Sequence, residues 1–187
     1  MSIDRLVAQE ELRIFGGVPK VNRHQNESND DTVDILKCVD VPQKGIQSCA
    51  SIGLNGTDIG LLSGDSKLRV EILGASDISV NEFENIVASV AFYIMKSQKC
   101  FPGYIVPNVI EQYIENCEMK HVLLSSPFLW ENVKSISFED ICIAWLLIVP
   151  ISDAEYGYAQ EHGVDSLETL FEEKEIDIFN MFRKSLV

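Results

Sequence analysis

Two uninterrupted apolar runs, Met119–Ser125 and Ile141–Val149, constrain this chain more than any other feature. Each is strand length, and neither alternates between polar and apolar residues. A strand on a half-solvated sheet alternates, so both runs are predicted to be central strands with each face covered. Such a sheet needs helices, and the sequence offers them. Over residues 79–97, Phe83, Ile86, Val87, Val90, Ala91 and Ile94 recur at helical spacing behind Ser79 and Glu82, an S-x-x-E capping box. At about 25 cal/mol per Å² this stripe supplies roughly 10 kcal/mol before chain entropy is subtracted. Replacing Val87 with Asp is expected to unfold the domain.

The remaining elements are shorter. Ser2 is placed to cap a helix to Phe15, ended by Gly16-Gly17 and Pro19. Residues 22–32 are polar and aperiodic and read as a mobile loop holding His24. Strands are expected at 33–39 and 46–54, with Pro42 and Gly45 in the turn between them. Lys67–Leu73 alternates and reads as a strand with one wet face. Asn108–Ile114 suits one or two helical turns. Ser152 with Glu155, and Asp165 with Glu168, are capping boxes for two late helices ending at Gly163 and Glu173, before a short extended piece at 176–179. Strands come early and helices late. The predicted class is therefore α+β: a single domain over 1–187, with a mixed or antiparallel sheet covered by a long central helix (79–97) and C-terminal helices.

With 46% apolar residues the chain has material for a core, and its longest apolar stretch is too short to span a bilayer. Asp4, Glu10 and Glu11 lie where a secretory signal would be apolar, so a cytoplasmic location is expected. Five cysteines without C-x-x-C spacing read as reduced, mostly buried thiols.

Fifteen bases against 29 acids leave a net charge of −14. A phosphate-binding surface needs the opposite sign, so nucleic acid and anionic membrane are excluded as partners. A charged partner would be basic, and the field would mainly speed association. Residues 131–187 hold 12 acids and 4 bases, which puts −8 of the charge in the last 57 residues. The plainer explanation of the acidity is solubility.

No catalytic constellation emerges. The three histidines lack metal spacing, and His121 and His162 read as structural. Cys117 and His121 are four apart, but His121 sits in an apolar strand. The glycine-bearing turns at 53–56 and 60–64 do not match a phosphate loop, and the carboxylate pairs lie in charged surroundings with no sign of a dry pocket. Neither enzyme activity nor a cofactor or metal is expected. One unusual feature is Pro127-Phe128-Leu129-Trp130, apolar where a turn is normally polar: either an anchor for a partner or a loop folded back onto the core.

The C-terminal third carries a resemblance. Ala144-Trp145-Leu146-Leu147-Ile148-Val149-Pro150-Ile151-Ser152-Asp153-Ala154-Glu155, then Gly163 and Arg183-Lys184-Ser185, resembles the Suppressor of Fused (SUFU) domain family, with its apolar strand, Pro-Ile-[ST]-x-x-Glu helix start and closing Arg-Pro-Ser. Lys184 departs from that pattern. Ser51-Ile52-Gly53-Leu54, Arg69-Val70-Glu71-Ile72 and His121-Val122-Leu123-Leu124 stand at the family's strand signatures. The whole chain is similar to the family's bacterial antitoxin members. That resemblance implies a cytosolic immunity protein that neutralises a cognate LXG-type nuclease toxin. The toxin-binding residues expected on this reading are Trp130, Glu155, Glu161, Glu172, Glu173, Glu175 and Asp177. The alternative is a non-catalytic adaptor that binds an extended peptide at an exposed strand edge.

Overall fold

A computed structural model describes residues 2–187. Helix α1 (Ile3–Phe15) is followed by strands β1 (Lys20–Gln25), β2 (Thr32–Val39) and β3 (Ile46–Ile52), a 3-10 turn (Leu54–Gly56), β4 (Leu62–Ser63) and β5 (Ser66–Asp77). Helix α2 (Phe83–Ser97), β6 (Ile105–Val106), β7 (Met119–Ser125), β8 (Ile136–Phe138) and β9 (Ile141–Ser152) come next. Helices α3 (Asp153–His162) and α4 (Val164–Glu173) complete the elements. One sheet runs in the order β1-β2-β3-β5-β9-β7-β6, with β4 paired to β5 and β8 to β9. The β5–β9 pair is parallel and the other pairs are antiparallel, so the sheet is mixed.

The two apolar runs become β7 and β9, and β9 lies between β5 and β7. Their side chains split between two cores. On one face Val122, Leu124, Leu146 and Ile148 join the stripe of α2. On the other Leu123, Leu147, Val149 and Ile151 meet α1, α3 and α4. This is the physical reason for the missing alternation: each face of these strands packs into a core.

The sequence-based expectation for α2 needs correction. The helix has fifteen residues and begins at Phe83, because the Ser79 hydroxyl and N–H both bond Asp77 Oδ1 (2.6 and 2.8 Å) in a turn ahead of it. It lies over β2, β3 and β5, toward one end of the sheet, and is not a long central cover. The rest of that face is closed by Cys100, Val106, Val109, Ile110, Cys117 and Met181. All six stripe residues are buried as expected. Gly74 of β5 lets the helix come this close: a Cβ there would stand 2.6 Å from Ile148 Cγ1 and 2.9 Å from Phe83 Cζ.

Other corrections are local. Residues 20–25, including His24, form an edge strand in register with β2, and only 26–31 are a turn, closed by the Asn26 N–H bonding Asp31 O at 3.1 Å. Residues 107–114 form turns, not a helix. The segment 176–179 is irregular. Helix α4 starts at Val164 behind Gly163, with no side-chain cap, so Asp165 and Glu168 do not form the expected capping box. By contrast, the Ser152–Glu155 capping box forms with both reciprocal bonds at 3.0 Å.

The expected wet face of β5 is wet only at Lys67, which stays exposed. Arg69 is buried beside Asp58 (3.0 Å), and Glu71 is wholly buried. Glu71 accepts bonds from Ser51 Oγ, from the N–H groups of Gly53 (2.9 Å) and Asn55 (3.0 Å), and from Asn55 Nδ2 (2.7 Å). Burial raises its pKa to about 7, and those four donors oppose the rise. Glu11 of α1 is also wholly buried, takes a 3.2 Å bond from Trp145 Nε1 and leaves Oε2 unpartnered. Its pKa is raised well above the ordinary value by burial and then by Glu71.

The folded protein thus holds protons that the unfolded chain releases near pH 4.5, and this contribution is lost as pH rises. Thermal melts are expected to show stability falling as pH rises from about 5 to about 7, by about 1 kcal/mol per pH unit for each such carboxyl. Glu11→Gln keeps an oxygen for Trp145 and should flatten that slope.

Candidate binding surface

Beneath α4 a cleft opens on the second face of the sheet. This cleft of about 540 Å³ has Leu123 and Val149 as its floor, Phe171, Ile176 and Ile178 as apolar walls, and Phe128 at its rim. Phe128 is 62% exposed. Glu168, Glu172 and Glu175 line the same cleft, and with Phe171 they lie on one face of α4 and its continuation, at helical spacing. Glu168 accepts a bond from Ser125 Oγ (2.5 Å), which ties α4 to the end of β7.

The backbone at the end of α4 explains how Glu175 arrives there. Ile176 N–H bonds Phe171 O at 3.2 Å and Glu175 N–H bonds Glu172 O at 3.1 Å, the paired bonds of a Schellman cap. Glu175 holds the left-handed position with φ 48°, where glycine is the favoured residue. Its neighbour Glu172 lies in the last turn of a helix that has no base there, where the helix dipole disfavours negative charge.

The structure divides the seven residues expected from sequence. Glu172 and Glu175 meet at the cleft, while Glu173 is exposed beside it but does not line it. Glu161 is exposed at the end of α3, 3.8 Å from His162. Asp177 lines a different cavity with Lys44 and Phe179 and accepts the Phe179 N–H (3.1 Å).

Two of the seven are not surface groups. Trp130 is 7% exposed and packs on Phe15 with ring centroids 4.9 Å apart, so its loop folds back onto the core. Glu155 is wholly buried: Arg183 Nη1 and Nη2 donate to its two oxygens at 2.5 and 2.8 Å, and Leu186 N–H adds a bond at 3.2 Å. Both atoms a partner would need are consumed inside the molecule. Phe128 was named in the sequence only as part of the possible anchor 127–130, and Glu168 was missed; the i, i+3, i+4, i+7 spacing of 168, 171, 172 and 175 was the available signal for Glu168.

Nothing reactive gathers elsewhere among the described residues. Cys117 Sγ donates to Met181 O (2.7 Å), not to His121. His121 accepts the Asn108 N–H at Nδ1 (2.9 Å) and meets Asp153 at Nε2 (2.9 Å). All five cysteines are free, and burial pushes the Cys100 thiol up to about 12. No group of three or more His, Cys, Asp or Glu suited to a metal ion occurs among the described residues, and no described helix is long and apolar enough to cross a membrane.

Comparison with known proteins agrees with this architecture. The chain is 37% identical over 186 residues to the immunity protein YqcF of Bacillus subtilis (strain 168), covering 98% of this chain and 97% of that protein. In fold it is similar to a SUFU homologue of Neisseria gonorrhoeae FA 1090 (TM-score 0.75, 17% identity, 98% and 96% of the two chains). It is also similar to a chain of the Sufu-Fu complex (TM-score 0.65, 14% identity, 97% and 91%). The family model for Suppressor of fused protein (SUFU) matches residues 29–184, and with the near full-length identity to YqcF this shows that the chain belongs to the SUFU family of non-catalytic binding proteins.

Proposed function

We propose that this protein is a cytoplasmic immunity protein that binds and neutralises a cognate LXG-type nuclease toxin through its acidic surface. The observation that carries the reading is the 37% identity to an immunity protein across nearly the whole of both chains. The charge supports it: a nuclease must attract phosphate, so its cleft is basic, and a protein at −14 meets it with complementary sign. The docking acids on this reading are Glu161, Glu172, Glu173, Glu175 and Asp177, with Phe128 taking the place that sequence assigned to Trp130.

The test is co-expression with the toxin encoded by the neighbouring gene. Growth should be rescued and the two proteins should co-purify. Replacing Glu172, Glu173 and Glu175 together by Lys is expected to weaken the complex at least tenfold, roughly 1.4 kcal/mol or more. The same change removes acids from a helix C-terminus, so Tm should hold or rise slightly. Unchanged toxin affinity would remove this surface from the reading.

A second reading, a peptide-binding adaptor, draws on one feature. Strand β1 pairs only with β2 and leaves six residues of open sheet edge. Growth rescue without dependence on the β1 edge separates the two.

A further inference from the structure

We propose that the cleft beneath α4 is an anchoring pocket for a single arginine side chain of the partner. The proposal rests on the binding role above and names the group that this site takes. Three independent features converge there. Apolar walls of Phe171, Ile176 and Ile178 stand beside Glu172 and Glu175 in one cleft, a combination that suits a long aliphatic stem ending in positive charge. Neither carboxylate takes part in an ion pair among the described residues, and Lys174, the nearest base in sequence, pairs with neither.

Both acids also sit where the backbone disfavours them, Glu172 at the negative end of a helix and Glu175 in a left-handed position. A bound cation relieves the first of these directly. The cation is organic: no metal-competent group of three ligands occurs among the described residues, and a bare ion makes no use of the apolar walls. Arginine fits better than lysine because the guanidinium is weakly hydrated, forks onto carboxylates and stacks on an aromatic ring, here the exposed Phe128.

The experiment is an NMR titration of the full chain with Nα-acetyl-arginine amide, with the neutral isostere Nα-acetyl-citrulline amide in parallel. Saturable shifts are expected at the amides of Ser126, Glu172 and Glu175, with citrulline weaker by about tenfold. Glu172→Gln with Glu175→Gln should abolish the difference between the two probes. Glu175→Gly should raise Tm by about 3 °C while weakening arginine binding. No saturable shift at these amides, or equal binding of citrulline, overturns the pocket. The two readings fail separately: loss of toxin neutralisation with the arginine shifts intact sinks the immunity role, and full neutralisation by a chain that binds no arginine probe sinks the pocket.

Discussion

Arg183→Ala is expected to cost about 3–5 kcal/mol, enough to leave much of the protein unfolded at 37 °C. Glu155 has no solvent exposure, and Arg183, itself 8% exposed, supplies the only ion pair to it among the described residues. Removing the guanidinium strands a carboxylate in the interior and also removes the Nη2 bond to Pro150 O (2.9 Å) and the contact over the Phe171 ring (5.4 Å). Arg183→Lys should fall between, since an ammonium cannot fork onto both oxygens. Urea melts of the single variants and of the double variant Arg183→Met with Glu155→Gln check this. The double variant should recover much of the loss, because no charge is left unpaired; a double variant as unstable as Arg183→Ala would mean that packing, not charge, dominates.

Val87→Asp is expected to abolish cooperative folding. Val87 is fully buried within the α2 core, where an ionised carboxylate has no cation to meet. The cost exceeds about 4 kcal/mol, against a total stability of about 5–15 kcal/mol for a domain of ordinary size. Val87→Thr keeps the shape and adds only a hydroxyl, so it should fold with a loss of about 1–3 kcal/mol. Circular dichroism of the two variants, with a native-like spectrum for Thr and none for Asp, is the measurement. A folded Asp variant would mean that α2 can shift to hydrate the site.

Much of the scaffold was legible because its signals are local. Apolar runs, a helical stripe and the Ser152–Glu155 box each occupy one stretch of sequence, and each forms where periodicity and capping chemistry put it. What escaped depends on distant partners. Glu71 alternates with apolar neighbours like any surface residue, yet the turn at 53–56 and Ser51 fold over it. Glu155 carries a capping role that the sequence shows and an ion pair with a residue 28 positions later that it does not. Ser79 is the local exception: it looked like a cap because Glu82 follows it, but Asp77, two residues before it, holds its hydroxyl. At the site the acids were visible as composition. Their division among the α4 cleft, the α3 end and the Asp177 cavity required the path of the chain beyond Glu173.

The Glu155–Arg183 pair also orders events during synthesis. The carboxylate sits at the junction of β9 and α3, yet its counterion emerges from the ribosome 28 residues later. A chain released shortly before Arg183 leaves that carboxylate buried without its cation, and is expected to be a target for proteolysis.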